Sequence, residues 1–192
     1  MTLAVFSLEL DRWFQTMTIR GDYRLYLHNC SMAALWAAGA QSFLAGTKCR
    51  DMARPLRITA LAPLGGAVLL IAHTFTLTFT PDSGVEHLLF VNPRFAAAAF
   101  ICAVMWVHSL SWTDAEPKAG SCVMSSYATV ALLCAEIIPW VWRMSPGWGV
   151  DPGRTALWAA TMLLSACAVA YLAAGKLQKL PIAYSSGMAP LV

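Results

Sequence analysis

Charge is what this sequence has least of. Asp, Glu, Lys and Arg together make up 12% of its 192 residues, about half the share in an ordinary soluble domain. With 58% apolar residues and a mean hydropathy of +0.59, the chain holds more apolar surface than one soluble core of this size can hide, which excludes a soluble enzyme. Basic runs with interleaved aromatics are also missing, and the net charge is only +3, so nucleic acid is not an expected partner. Absent too are GxSxG, HExxH, Walker and GxGxxG sequences, so no catalytic residue is assignable from a motif. The six cysteines, at 30, 49, 102, 122, 134 and 167, form no CxxC pair and no zinc spacing. Cys102, Cys134 and Cys167 lie inside apolar runs and read as small packing residues. Cys49 and Cys122 would lie on the inner side, where disulfides are rare, and no metal site or disulfide framework is expected.

What is present is a series of apolar runs about 20 residues long, the length that crosses roughly 30 Å of hydrocarbon. They are Leu25–Gly46, Ile58–Thr80, Phe95–Thr113, Val123–Trp142 and Thr155–Gly175, and nine of the ten acidic residues fall between them. Arg54-Pro55, Pro81-Asp82, Pro93-Arg94, Glu116-Pro117 and Asp151-Pro152-Gly153 mark the connections. The expected fold is all-α: an integral membrane bundle of about five transmembrane helices over 25–175, with an N-terminal segment 1–24 and a tail 176–192. Thr74–Thr80 alternates like a strand, but threonine hydroxyls can bond the carbonyl one turn back, and a strand there would leave Ile58–His73 too short to span, so it is read as helix.

Met1–Met17 lacks the basic start and cleavage site of a signal peptide. Leu3, Phe6, Leu10, Trp13, Phe14 and Met17 share one helical face. That predicts an amphipathic helix in the membrane interface or docked on a partner subunit. Lys48, Arg50, Arg54 and Arg57 crowd the first connection, which the positive-inside rule places inside, with the N-terminus outside and the C-terminus inside. Trp140, Trp142, Trp148 and Trp158 bracket the last connection as an interfacial belt would. Ala34, Ala38, Ser42 and Gly46 on the first span, and Ala166, Ala170 and Ala174 on the fifth, form small-residue stripes that permit close helix approach.

Glu136 is the only acidic residue inside a run. In hydrocarbon a carboxyl group is costly unless neutral or paired, so this one is a candidate to bond a quinone or substrate, or to relay a proton. Its bland alternative is a bond to a backbone group freed by Pro139. His73 and His108 raise the possibility of haem or pigment as axial ligands, but their expected depths differ by about 10 Å, too much for one iron. Gln41 reads as glue between helices. The connection carrying Glu86, His87, Asn92 and Arg94, with His28 at the same side, offers hydrogen-bond donors to a quinone headgroup; an ordinary capped loop is the alternative.

Leu35–Gly46, the basic stretch Lys48–Arg57, the apolar second run, and Val91-Asn92-Pro93-Arg94-Phe95 opening an Ala-rich helix together resemble the first half of the polysulfide-reductase membrane-anchor family, the NrfD-like quinone-interacting subunits. The resemblance covers about 80 residues. It implies a quinone as cofactor, His87 and Arg94 on the quinone side, and other subunits as partners. The chain departs from the family in its smaller number of spans and in having Phe95-Ala96-Ala97 where a Ser-Pro is expected. Three function classes follow: a structural or quinone-contacting subunit of a respiratory or photosynthetic complex, a small transporter or channel component using Glu136, or a membrane enzyme acting on a lipid or redox substrate. The expected surroundings are lipids and other membrane subunits in a bacterial or organellar inner membrane.

Overall fold

A computed structural model describes residues 2–17, 21–46, 53–76, 89–113 and 115–177, and its described elements are all helical. They are α1 (Thr2–Thr16), α2 (Gly21–Ala45), α3 (Ala53–Thr76), α4 (Pro93–Ser111), α5 (Ala115–Met144) and α6 (Pro152–Leu177), with a 3-10 turn at Ser145–Trp148. The chain is an all-helical membrane protein: α3, α4, α5 and α6 are each long and apolar enough to cross a bilayer. It divides into two units, Met1–Ser111 and Trp112–Val192.

In the first unit α2 is the central helix and packs against α1, α3 and α4. Its composition alone does not mark it as a span, because Arg24, His28, Asn29 and Gln41 dilute its apolar residues. Its packing says more. Asn29 lies opposite His73, Trp36 opposite Gly66, and Gly46 opposite Leu56. The two helices are thus antiparallel and in step over roughly 26 Å at about 1.5 Å per residue. Asn29 is buried by that pairing, so its polarity does not count against membrane passage. Among the described residues four helices qualify as spans against the five expected, and α2 is set beside α3 by this register and not by hydropathy.

Both α3 and α5 begin earlier than the apolar runs do. Arg54, Pro55 and Arg57 fall in the first turns of α3, and Pro117 in the first turn of α5. Proline costs little there, since the N–H groups of a first turn have no intrahelical partner. Pro63 and Pro139 instead lie in helix interiors, where each removes a backbone hydrogen bond. The alternating threonine stretch is helical as far as Thr76, with the Thr74 hydroxyl donating to the Ile71 carbonyl at 2.6 Å. Residues 77–80 lie outside the described residues.

A helix forms over the expected residues, but its placement differs from both expected ones: α1 runs antiparallel along α2 of its own chain. Leu3 faces Gly39, the Trp36 indole N–H donates to the Ser7 hydroxyl at 3.1 Å, and Phe14 meets His28 edge-on at 5.3 Å. The apolar face read from the sequence is therefore split. Leu3 and Phe14 turn toward α2 and Leu10 is half-buried, while Phe6 and Trp13 stay exposed.

Ser7 also donates to the Leu3 carbonyl at 2.9 Å, so its oxygen is fixed to receive the indole. Ser7→Ala is expected to cost about 1 kcal/mol by orphaning that N–H. The Ser7→Ala/Trp36→Phe double mutant should then cost less than the two single mutants added together, measured by denaturant unfolding in detergent. Strict additivity would show that the bond contributes nothing.

The small-residue expectation needs correction. Inside the first unit the packed stripe of α2 is Ala33, Ala37 and Ala40, all fully buried, with Leu44 below them. Ala38 and Ser42 are exposed. Two stripes fit the helical spacing, and Tyr26, Asn29 and Cys30 at one end of the helix select the buried one. On α6 the same holds: Ala168 is buried while Ala166 and Ala170 are exposed.

The second unit is an α5–α6 hairpin. Its turn is held by the buried Ser145, whose hydroxyl donates to the Val141 carbonyl at 2.6 Å. Gly149 closes it at φ +71°, where a side chain would be strained. Asp151 caps α6 by accepting the Arg154 N–H at 2.7 Å. Trp142, Trp148 and Trp158 are exposed around this turn, and Trp140 lies edge-on to Trp148 at 6.0 Å, the arrangement expected of an interfacial belt. The described cysteines are free thiols, with Cys30 and Cys122 buried among their neighbours; Cys49 lies outside the described residues.

Candidate functional site

The expected quinone-side turn is first of all a helix start. Asn92 accepts the Phe95 N–H on its side-chain oxygen at 2.8 Å, and Pro93 occupies the first position of α4. Phe90, just before it, has φ +62° and packs its ring 5.0 Å from that of Phe95. A left-handed phenylalanine is uncommon and marks a tightly constrained approach to the helix.

Arg94, the next residue, is only 7% exposed. Its backbone N–H donates to the Tyr26 hydroxyl at 3.1 Å, and its guanidinium carbon lies 4.2 Å over the Phe75 ring. A cation on an aromatic face is attracted by the ring quadrupole, the more strongly where water is excluded. Tyr26 is fully buried and stacks on Tyr23 at 5.8 Å. One turn along α2, the Asn29 amide donates to Nδ1 of His73 at 3.0 Å. That bond leaves the ring proton on Nε2, and the His73 ring itself is exposed. Arg94, Phe75, Tyr26, Asn29 and His73 thus fasten α2, α3 and α4 together at one end.

Beside this junction, α2 and α4 leave an open groove of about 330 Å³. Cys30, Ser31, Ala34, Ala96, Ala97 and Phe100 line it, with Pro93 at the Tyr26 end. Its width comes from the alanines: four consecutive ones, Ala96 to Ala99, open α4, and Ala34 faces them across the groove. The Ala-rich start of α4 was visible in the sequence; its pairing with Ala34 was not.

The other candidates are dispersed. His87 and Glu86 lie outside the described residues. His28 sits on the α1 flank of α2, its Nε2 3.3 Å from an Asp11 carboxylate oxygen. His108 is buried at the opposite end of the unit, where its Nε2 donates to the Arg57 carbonyl at 3.2 Å. Measured along α3, Arg57 and His73 are separated by roughly 24 Å at about 1.5 Å per residue. The two histidines are therefore further apart than the 10 Å expected from their depths, because His108 reaches the very start of α3, and they cannot share an iron. Gln41 is half-buried with its Oε1 lacking a hydrogen-bond partner, so its expected gluing role is not displayed through that atom.

Glu136, in the second unit, is 4% exposed, three residues before the in-helix Pro139. Among the described residues no cluster of three His, Cys, Asp or Glu side chains could hold a metal. Comparison with family models, with curated proteins and with solved structures returned no match.

Proposed function

We propose that the protein is a multi-pass subunit of a larger respiratory or photosynthetic complex in a bacterial or organellar inner membrane, structural or quinone-contacting and not catalytic by itself. The observation that carries this reading is the α2/α4 groove ending at the Asn92-Pro93-Arg94 turn. A quinone needs an apolar path for its tail and polar groups near its carbonyls. Ala34, Ala96, Ala97 and Phe100 supply the path, and Ser31 at the Pro93 end carries a hydroxyl that can donate. Arg94 acts as a positioning residue, since its guanidinium is committed to Phe75. The NrfD-like resemblance quoted for this same turn agrees with the reading.

Ala96→Leu tests it, because Ala96 is exposed and lines the groove. Binding of a short-tailed quinone analogue should weaken at least tenfold while the unfolding temperature stays unchanged. An unaltered affinity, or no saturable binding to the wild type, would remove the quinone from the proposal. Discrete co-purifying subunits would support the complex itself, and a lone homo-oligomer would argue against it.

The alternative, a small transporter or channel component, is favoured by one observation: a carboxyl group buried to 4% exposure within an apolar 30-residue helix. Proton flux through reconstituted protein separates the two readings.

A further inference from the structure

On the opposite flank of α2, α1 and α2 enclose a second cleft, of about 400 Å³, lined by Asp11, Phe14, Gln15, Arg24, Leu25 and His28. It has both signs of charge within one small volume. Asp11 accepts the Gln15 amide on Oδ2 at 2.8 Å. Its other oxygen lies 3.3 Å from His28 Nε2, close enough for an ion pair, yet that nitrogen is buried and makes no hydrogen bond. Arg24 and His28 stand one turn apart on α2, so both face the cleft from the same side.

The depth of the cleft follows from helix register. Asn29 is level with His73 near the end of α3, so Leu25 and Arg24 stand roughly 6–8 Å further out at about 1.5 Å per residue. Arg94 lies at that same end, over Phe75. At this level the unit passes from apolar to charged side chains, the change that accompanies the step from hydrocarbon to lipid headgroups. Deeper along α1, toward Leu3, the exposed side chains are the apolar Val5, Phe6 and Leu8, a surface for acyl chains. Glu9 and Arg12, on the outer face of α1, neutralise each other at 3.1 Å.

We propose that this cleft holds the headgroup of a zwitterionic phospholipid, with its phosphate on Arg24 and its ammonium on Asp11, whose carboxylate the His28 ring flanks at 3.3 Å. A purely anionic headgroup would bring its charge against Asp11, and a purely cationic ligand would meet Arg24. A headgroup with both signs matches both, and the volume is in the range of small-ligand sites. Phe14 and Leu25 form the apolar wall where the glycerol joins the chains.

The test uses the full chain, delipidated in detergent and titrated with phosphatidylethanolamine or phosphatidylglycerol, with bound lipid counted by native mass spectrometry. The wild type should retain the ethanolamine lipid at least fivefold better. Asp11→Asn should erase that preference, Asp11→Glu should keep it, and Arg24→Gln should weaken both lipids about tenfold. Circular dichroism checks that each variant retains its helices. Equal retention of the two lipids by the wild type would overturn the proposal. So would a preference that survives Asp11→Asn, or displacement of the lipid by millimolar free phosphoethanolamine, which would mark a soluble zwitterion as the ligand. Loss of quinone binding at the α2/α4 groove has no bearing on these outcomes.

Discussion

Gly66→Ala is expected to lower the unfolding temperature by roughly 3–10 °C, while Gly65→Ala leaves it unchanged or slightly raised. The two glycines are neighbours in one helix, so composition and propensity treat them alike. Packing separates them. A methyl group on Gly66 would fall within the Trp36 ring, whereas one on Gly65 would meet nothing within 4 Å. Trp36 has little freedom to withdraw, because its indole N–H is committed to Ser7 on α1. The added carbon must instead push α3 from α2, and overpacking of this kind costs about 1–3 kcal/mol. Trp36→Leu in the Gly66→Ala background should recover part of the loss by vacating the ring's place. Equal midpoints for the two glycine variants would show that α2 and α3 do not approach at Trp36. The register of α2 against α3 would then lose its central contact.

Run length and the position of charges placed α2 to α6, since a bilayer sets the length of a span and a hydrocarbon interior excludes charge whatever the packing, and α1 came from its one-sided apolar pattern. Helix starts were less legible. Pro55 and Pro117 read as breaks, yet in a first turn proline is tolerated, so α3 and α5 absorb them. The choice between the Ala33/Ala37/Ala40 and Ala34/Ala38/Ser42 stripes could not be read, because it depends on what lies opposite. The same limit applies at the sites. Asn92 and Arg94 were visible as a polar turn, but Asn92 proves to be the cap of α4 and Arg94 a buried cation over Phe75. Tyr26 gave no signal beyond an aromatic residue near a span end, although it receives the Arg94 N–H. The α1/α2 cleft was missed altogether. Asp11 and His28 are far apart in the sequence, and only antiparallel pairing of α1 with α2 sets them 3.3 Å apart. The burial of Glu136, by contrast, was legible from the sequence alone, because an acidic residue in the middle of an apolar run has few other places to go.

Glu136→Leu is expected to destabilise the protein by about 1–3 kcal/mol, and Glu136→Gln by much less. The carboxyl group is 4% exposed on α5, and it has an interaction partner. Leucine fills the space but offers that partner nothing, and a buried polar group left without its hydrogen bond bears the full desolvation penalty. Glutamine keeps the length, the planar head and most of the hydrogen-bonding capacity, and loses only the ability to exchange a proton. The pair of variants therefore separates structure from chemistry. A packing residue near Pro139 gives a silent Gln and a destabilised Leu. A proton-transferring residue gives a Gln variant that assembles and melts like the wild type, yet loses at least tenfold in proton flux across proteoliposomes loaded with a pH-sensitive dye. The second result would move the protein from the quinone-contacting reading to the transporter reading, because a subunit without a proton path has no flux to lose. Normal stability and normal flux in both variants would show that the carboxyl group neither holds α5 in place nor carries protons. No role for the only acidic residue inside an apolar run would then remain.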